Sequence, residues 1–180
     1  MHTVLVSCVG KTGKPNITTL AWAMPTSTNP PLVAISLRPT RRSYKLIKET
    51  KEFVVNIPTI DIVNATLFCG RKSGKSHDKF KETKLTPMPA KRVKSPIINE
   101  CVAHLECRLH SQHRTGDHAI LVGRIIQAYA NKETFAETYN LRKAKLIFHS
   151  GADEFAVLNP KIYKPKLQRP FKPAVKPFKP

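Results

Sequence analysis

Three features of this 180-residue chain predict a mainly β protein, an antiparallel barrel with a few short helices. Apolar and polar residues alternate in seven short runs. Turn formers such as GKTGKPN, PTSTNPP and SQHRTGD separate the runs, and only two stretches carry a firm helical pattern. Many short strands with few helices suit a sheet that closes on itself and leaves no exposed edge.

In chain order, the first run is Thr3–Val9. No basic leader with a long apolar stretch precedes it, so it reads as a strand, not a signal peptide, and a cytoplasmic setting is expected. Asn16–Met24 and Leu32–Leu37 follow as strands. Ser43–Thr50 reads as a helix, with Ser43 as N-cap directly after Arg41 and Arg42. After a strand at Glu52–Ile57, Thr59–Cys69 reads as a second helix, with Thr59 as N-cap and Asp61 in its first turn. Residues 70–96 are basic and rich in turn formers, so a long loop is expected. Cys101–Leu109 and His118–Ala128 are strands flanking SQHRTGD, a short helix is placed within Lys132–Leu141, and Lys145–His149 is the last strand. These elements form one domain over 1–159. Residues 160–180 form a basic, proline-rich tail of extended chain.

The formal net charge is +19, with 31 Lys and Arg against 12 Asp and Glu. Such a chain attracts anions of every kind, from nucleotides to nucleic acid and anionic lipid, and charge alone does not choose among them. No apolar run approaches the roughly 20 residues a membrane helix needs. The four cysteines show no C-x-x-C pairing and are expected as reduced, buried thiols.

The segment around residues 40–44 is the best candidate for a binding site. A helix N-terminus carries unpaired N–H groups, so Ser43 beside Arg41 and Arg42 can seat a phosphate; an ordinary cap beside surface arginines is the plainer reading. Two look-alikes of phosphate loops fail. GRKSGKS has three residues between its glycines and follows a helix, and GKT at Gly10–Thr12 has Leu5 where the first glycine belongs. The histidine-rich HLECRLHSQHRTGDH invites a metal reading. Strand alternation puts Cys101 and Cys107 on one face and His104 and His110 on the other, so no metal site is expected. No nucleophile–base set is visible, so any catalysis belongs to a bound cofactor. His118, at a strand mouth after TGD, is either a turn residue or a group orienting a ligand.

The stretch Asn16–Pro58, SHDKF at Ser76–Phe80 and GDHAILVGRI at Gly116–Ile125 together resemble the flavin reductase-like family of FMN-binding split barrels. The resemblance implies a six-stranded antiparallel Greek-key barrel, FMN near the interface of a homodimer, and NADH or NADPH as electron donor. The implied activity is hydride transfer from NAD(P)H to flavin, with electrons passed to free flavin, ferric iron or a protein acceptor. By the same resemblance Asn16 and Trp22 touch the flavin, and Ala23, Met24, Pro25, Thr26 and Ser27 run along its ring. Ser36, Leu37 and Arg38 flank the ribityl chain, while Ser43, with Arg41 and Tyr44 beside it, takes the phosphate. Lys79 reaches the cofactor from the long loop, His118 stands at the flavin edge as the catalytic residue, and Phe155 covers the ring. Core packing of Trp22 and plain solvation of Lys79 are the non-functional alternatives. Two other functions stay open: an FMN-carrying electron-transfer protein with little NAD(P)H activity, and a basic nucleic-acid-binding barrel. The family offers no counterpart for the basic tail, which could meet a polyanion or an acidic partner.

Overall fold

A computed structural model describes residues 1–164 of the chain. In chain order the elements are β1 (Val4–Val9), β2 (Pro15–Leu20), β3 (Ala23–Thr28), β4 (Pro31–Leu37), α1 (Arg42–Thr50) and β5 (Glu52–Ile57). A 3-10 turn (Ile60–Ile62) leads into α2 (Val63–Arg71), followed by α3 (Lys79–Thr83), β6 (Pro87–Met88) and β7 (Ile97–Ile98). The long strands β8 (Ala103–Thr115) and β9 (His118–Ala130) precede the hairpin β10 (Ile147–Gly151) and β11 (Glu154–Val157).

The principal sheet is antiparallel, in the order β2-β1-β5-β8-β9-β4-β3. Its outermost strands, β2 and β3, are neighbours in sequence and are joined only by Ala21 and Trp22. Laid flat, seven strands would separate those edges by about 29 Å, at roughly 4.8 Å per step. A two-residue link reaches only about 10 Å. The sheet must therefore curl until its edges meet, and the result is a split barrel. It has seven strands where six were expected, because the run Asn16–Met24 breaks at this link into β2 and β3.

Alternation along the strands builds two cores. Val4, Val6 and Cys8 of β1 point into the barrel with Val33 and Ile35 of β4, Phe53 and Val55 of β5, and Leu121 of β9. Leu46 and Ile47 of α1 join that cluster. On the outer side, Leu5 and Ile17 pack with Cys69 of α2, Phe80 of α3, Leu85 and Ile98. Burying these side chains is the principal stabilisation, at roughly 25 cal/mol per Å² of apolar surface removed from water.

Several local expectations need correction. The N-cap of α1 is Arg41, not Ser43; Ser43 is the second helical residue and is buried. Thr59 begins a 3-10 turn and not an α-helix, and its hydroxyl donates to Asp61 Oδ2 (2.9 Å) instead of accepting a cap bond. No helix forms within Lys132–Leu141. Asn131 and Asn140 accept local backbone N–H groups there and hold tight turns, the usual way Asn competes with a helix. The loop over 70–96 contains α3, because Asp78 accepts from Lys81 N (3.3 Å) at its start and Phe80 enters the outer core. The β8–β9 pairing runs through SQHRT and turns on Gly116 and Asp117 alone, with Gly116 supplying the positive φ of 60°. Cys101 and Cys107 do not share a face. Cys101 precedes β8 and joins the outer core, while Cys107 follows a bulge into the barrel. Among the described residues no group of His, Cys, Asp and Glu could hold a metal ion.

The opposite face of β8 is not solvated. His104 and Glu106 lie under the segment 91–98, where Glu106 accepts from the backbone N–H groups of Lys91 (2.8 Å) and Arg92 (2.6 Å). His104 Nδ1 meets Asn56 Oδ1 at 2.9 Å, and Asn56 donates to Ser7 Oγ (2.9 Å) and the Leu5 carbonyl (3.1 Å). This network pins the segment to the barrel. No helix of the described residues is long and apolar enough to cross a membrane. The tail expected over 160–180 lies, from residue 165 onward, outside the described residues.

Candidate functional site

The seam where the barrel edges meet opens into one continuous cleft. At one end a narrow notch of about 10 Å³ lies between β2, the start of α1 and the turn after α2. It shares Thr18, Arg41 and Gly70 with a hollow of about 410 Å³ that runs past Trp22, Arg38 and His118. No acidic residue lines either part among the described residues.

The notch is built to receive an anion. The N-terminus of α1 has no side-chain cap and no acid in its first turn, so its leading N–H groups stay unpaired within the helix. Ser43, 1% exposed, accepts from Asn16 Nδ2 at 2.7 Å, which turns the serine's own proton outward for a further acceptor. Arg41 and Arg42 line the same notch. Lys79, 5% exposed, donates through Nζ to the carbonyls of Ile17 (2.8 Å) and Cys69 (2.6 Å). An ammonium has three donors, so one remains for a ligand. Burial, assisted by the nearby Arg41, pushes the Lys79 ammonium below the ordinary lysine range. An anion beside it would relieve that penalty.

Gly70 and Gly74 explain why the rejected GRKSGKS still matters. It is no Walker loop, yet its Gly70, Lys72, Ser73 and Gly74 line the notch. A Cβ on Gly74 would overlap the side-chain oxygen of Asn16, so only glycine lets the turn lie this close. Beneath the seat, Cys8 Sγ lies 3.8 Å from the Asn16 carbonyl and 3.9 Å from that of Ser43. Burial pushes its thiol up to about 12, so it acts as a small hydrophobe.

At the other end, Trp22 is half exposed and its ring centroid lies 4.9 Å from that of His118. Simple core packing is thereby removed as its role. His118 Nδ1 bonds Asp117 Oδ1 at 2.6 Å, and Asp117 Oδ2 pairs with Arg38 at 2.9 Å. The histidine hydrogen bond, with the charges of His118 and Arg38, holds the Asp117 carboxyl below the usual carboxylate range. An ionised Asp117 assigns the proton of neutral His118 to Nδ1 and leaves Nε2 free to accept.

The structure thus gathers Asn16, Trp22, Ser36, Leu37, Arg38, Arg41, Ser43, Lys79 and His118 along one cleft. Phe155 stands on the β10–β11 hairpin, at an adjoining recess. Ala23 and Met24 instead line a separate apolar groove of about 180 Å³ with Met1, Ala34 and Ile120. Trp22 and Ser36 belong to both hollows. Pro25, Thr26 and Ser27 continue along the edge strand away from the cleft, where Thr26 is bulged out of register. Tyr44 is half-buried against the barrel core and does not line the cleft. Sequence reasoning missed Thr18, Thr19, Gly70, Gly74 and His149 as lining residues. The two glycines carried a signal, since paired glycines in a basic turn suit a close backbone approach. His149 carried none, for only the closing hairpin brings it to β2.

The likeness to known proteins agrees with this geometry. The chain is 41% identical over 113 residues to an uncharacterized protein of Archaeoglobus fulgidus, covering 63% of this chain and 64% of that protein. It is 30% identical over 134 residues to a flavin reductase of Pseudomonas putida, covering 73% and 69% respectively. The solved structure of the flavoredoxin of Desulfovibrio vulgaris (Miyazaki F) superimposes with a TM-score of 0.83 at 26% identity, covering 91% of this chain and 89% of that one. The model of the Flavin reductase like domain matches residues 1–152, nearly the whole described fold, and on that match the chain belongs to the flavin reductase-like family of split barrels.

Proposed function

We propose that this protein holds FMN in the seam cleft and works as a flavin reductase-like oxidoreductase with NADH or NADPH as donor. The observation that carries the proposal is the uncapped start of α1 with Asn16, Ser43, Arg41 and Lys79 around it, at one end of a cleft that has an exposed Trp22–His118 pair at the other. These residues fit the group: hydrogen-bond donors and cations where its phosphate would lie, an aromatic face where a flat ring would lie. Bound FMN would supply the two-electron chemistry, taking a hydride from the nicotinamide and passing electrons to free flavin, ferric iron or a protein acceptor.

The chain's own part is binding and positioning. Ser43 and the first N–H groups of α1 donate to the phosphate, and Lys79 and Arg41 balance its charge. Trp22 fixes the plane of the ring, and His118, oriented by Asp117, offers Nε2 as an acceptor near its edge. Hydride transfer requires no general acid, so the site needs no catalytic dyad. Holding the partners in place is the larger part of the rate.

Ser43→Ala and Lys79→Met should each weaken FMN binding, by about tenfold or more for Lys79, since a hydrogen bond to a charged group is worth about 1.5–3 kcal/mol. Quenching of flavin fluorescence on titration measures this, with denaturation midpoints to confirm that each variant folds. Unchanged affinity in both variants would place the phosphate elsewhere.

The likeness to a flavoredoxin favours a second reading, an FMN-carrying electron-transfer protein that reacts slowly with NAD(P)H. Such a protein would be yellow yet reduced sluggishly by NADH and NADPH alike. A homodimer and a cytoplasmic setting belong to the proposal as well. The dimer contact would be the apolar groove around Trp22, Met24 and Met1, which are 51%, 62% and 67% exposed. Light scattering on the purified chain checks the dimer.

A further inference from the structure

Beside the cleft lies a recess of about 180 Å³, between β2, α2 and the β10–β11 hairpin. It shares Thr19, Ala21, Gly70 and His149 with the cleft but has its own floor. That floor includes Thr3 and Thr66, both 0% exposed, and neither hydroxyl has a hydrogen-bond partner. Buried hydroxyls are almost always paired, because a donor removed from water without an acceptor is costly. Two such groups lining one recess mark a place that expects an acceptor from outside the chain.

The rest of the wall narrows the chemistry. Ala21, Leu67 and Phe155 make it apolar. Arg71 stands there too, but its guanidinium is bound by the Asp153 carboxylate and donates to the Ala152 carbonyl at 2.6 Å, so its charge is already matched. A site with two neutral donors and no spare cation favours a neutral oxygen over a carboxylate. Size narrows it further. A cavity of about 150 Å³ lined by apolar side chains takes benzene, so this recess suits one six-membered ring.

We propose that the recess binds a neutral single-ring carbonyl compound, with its ring against Leu67 and Phe155 and its oxygen accepting from Thr3 or Thr66. The site stands apart from the anion seat and does not depend on a flavin in the cleft. Isothermal titration of the full chain with acetophenone, ethylbenzene and benzoate, with and without FMN, tests it. Acetophenone should bind at least about fivefold more tightly than ethylbenzene, and benzoate no better than ethylbenzene. The double variant Thr3→Val/Thr66→Val should lose about five- to tenfold in acetophenone affinity while ethylbenzene and FMN stay within about twofold. Leu67→Trp, which fills the recess and leaves both hydroxyls in place, should abolish binding of acetophenone and ethylbenzene alike. Equal affinity for the ketone and the hydrocarbon, a preference for benzoate, or no binding because the recess holds water only would each overturn the proposal. So would a folded double variant with unchanged acetophenone affinity. Loss of FMN binding with acetophenone binding intact would sink the cofactor reading alone, and the converse would sink this one alone.

Discussion

His118 shows how a single side chain can be placed for one step and not another. Its Nδ1 is held by Asp117, its ring lies against Trp22, and neither contact reaches the anion seat. His118→Ala should therefore slow reduction by NAD(P)H far more than it loosens FMN. Stopped-flow reduction at the wild-type rate would remove the residue from the mechanism. His104 is the contrasting case, a histidine whose duty is structural. Burial pushes it down to about 4, against the ordinary 6.5, with the charge of Glu106 opposing. The unfolded chain thus binds the proton more readily than the fold between pH 6.5 and about 4. Its contribution is whole above pH 6.5 and drains away as pH falls through that window, by about 3 kcal/mol in all. Denaturant unfolding at pH 7.5 and 4.5 should show the loss, and His104→Asn should flatten it. The residue scale was partly legible. Asn16, Ser43 and Lys79 lie together as the family pattern implied, but the cap role of Ser43 was misread because Arg41 supplies the extended backbone before the helix.

At the scale of elements, the turn after α2 controls the anion seat. A notch of about 10 Å³ has room for about one water, so a phosphate can enter only if the turn around Gly74 lifts. Gly74→Ala puts a methyl group against Asn16 and should destabilise the ligand-free protein by about 1–3 kcal/mol through overpacking, read as a lower denaturant midpoint at constant slope. An unchanged midpoint would mean that the turn does not press on Asn16. Strands were legible because period-two alternation is enforced by burial on one face, as in β4 and β5. The β2–β3 break was not, since Ala21 and Trp22 continue the apolar run through a chain reversal that only closure of the barrel requires. The absent helix at 132–141 failed for the opposite reason: its helix-forming residues are outweighed by two asparagines that bond the local backbone.

For the whole molecule, charge and closure act together. Residues 161–180 carry seven Lys and Arg and no acid, while the cleft is basic by its own lining. Deleting the chain after Asn159 should therefore leave FMN content unchanged and weaken retention on heparin, and a drop in flavin on purification would tie the tail to the site. The barrel class was readable from composition and alternation, for a closed sheet is what many short strands with few helices require. The position of the cleft was not, because it depends on how the two edges meet. That meeting has one more consequence, carried by Trp22, which faces the cleft on one side and the groove with Met1, Met24 and Ile120 on the other. A ligand and a second subunit would press on the same indole. Linkage makes such coupling reciprocal: whatever factor the ligand adds to self-association, self-association returns to the ligand, so dilution and cofactor loss become one equilibrium viewed from two ends.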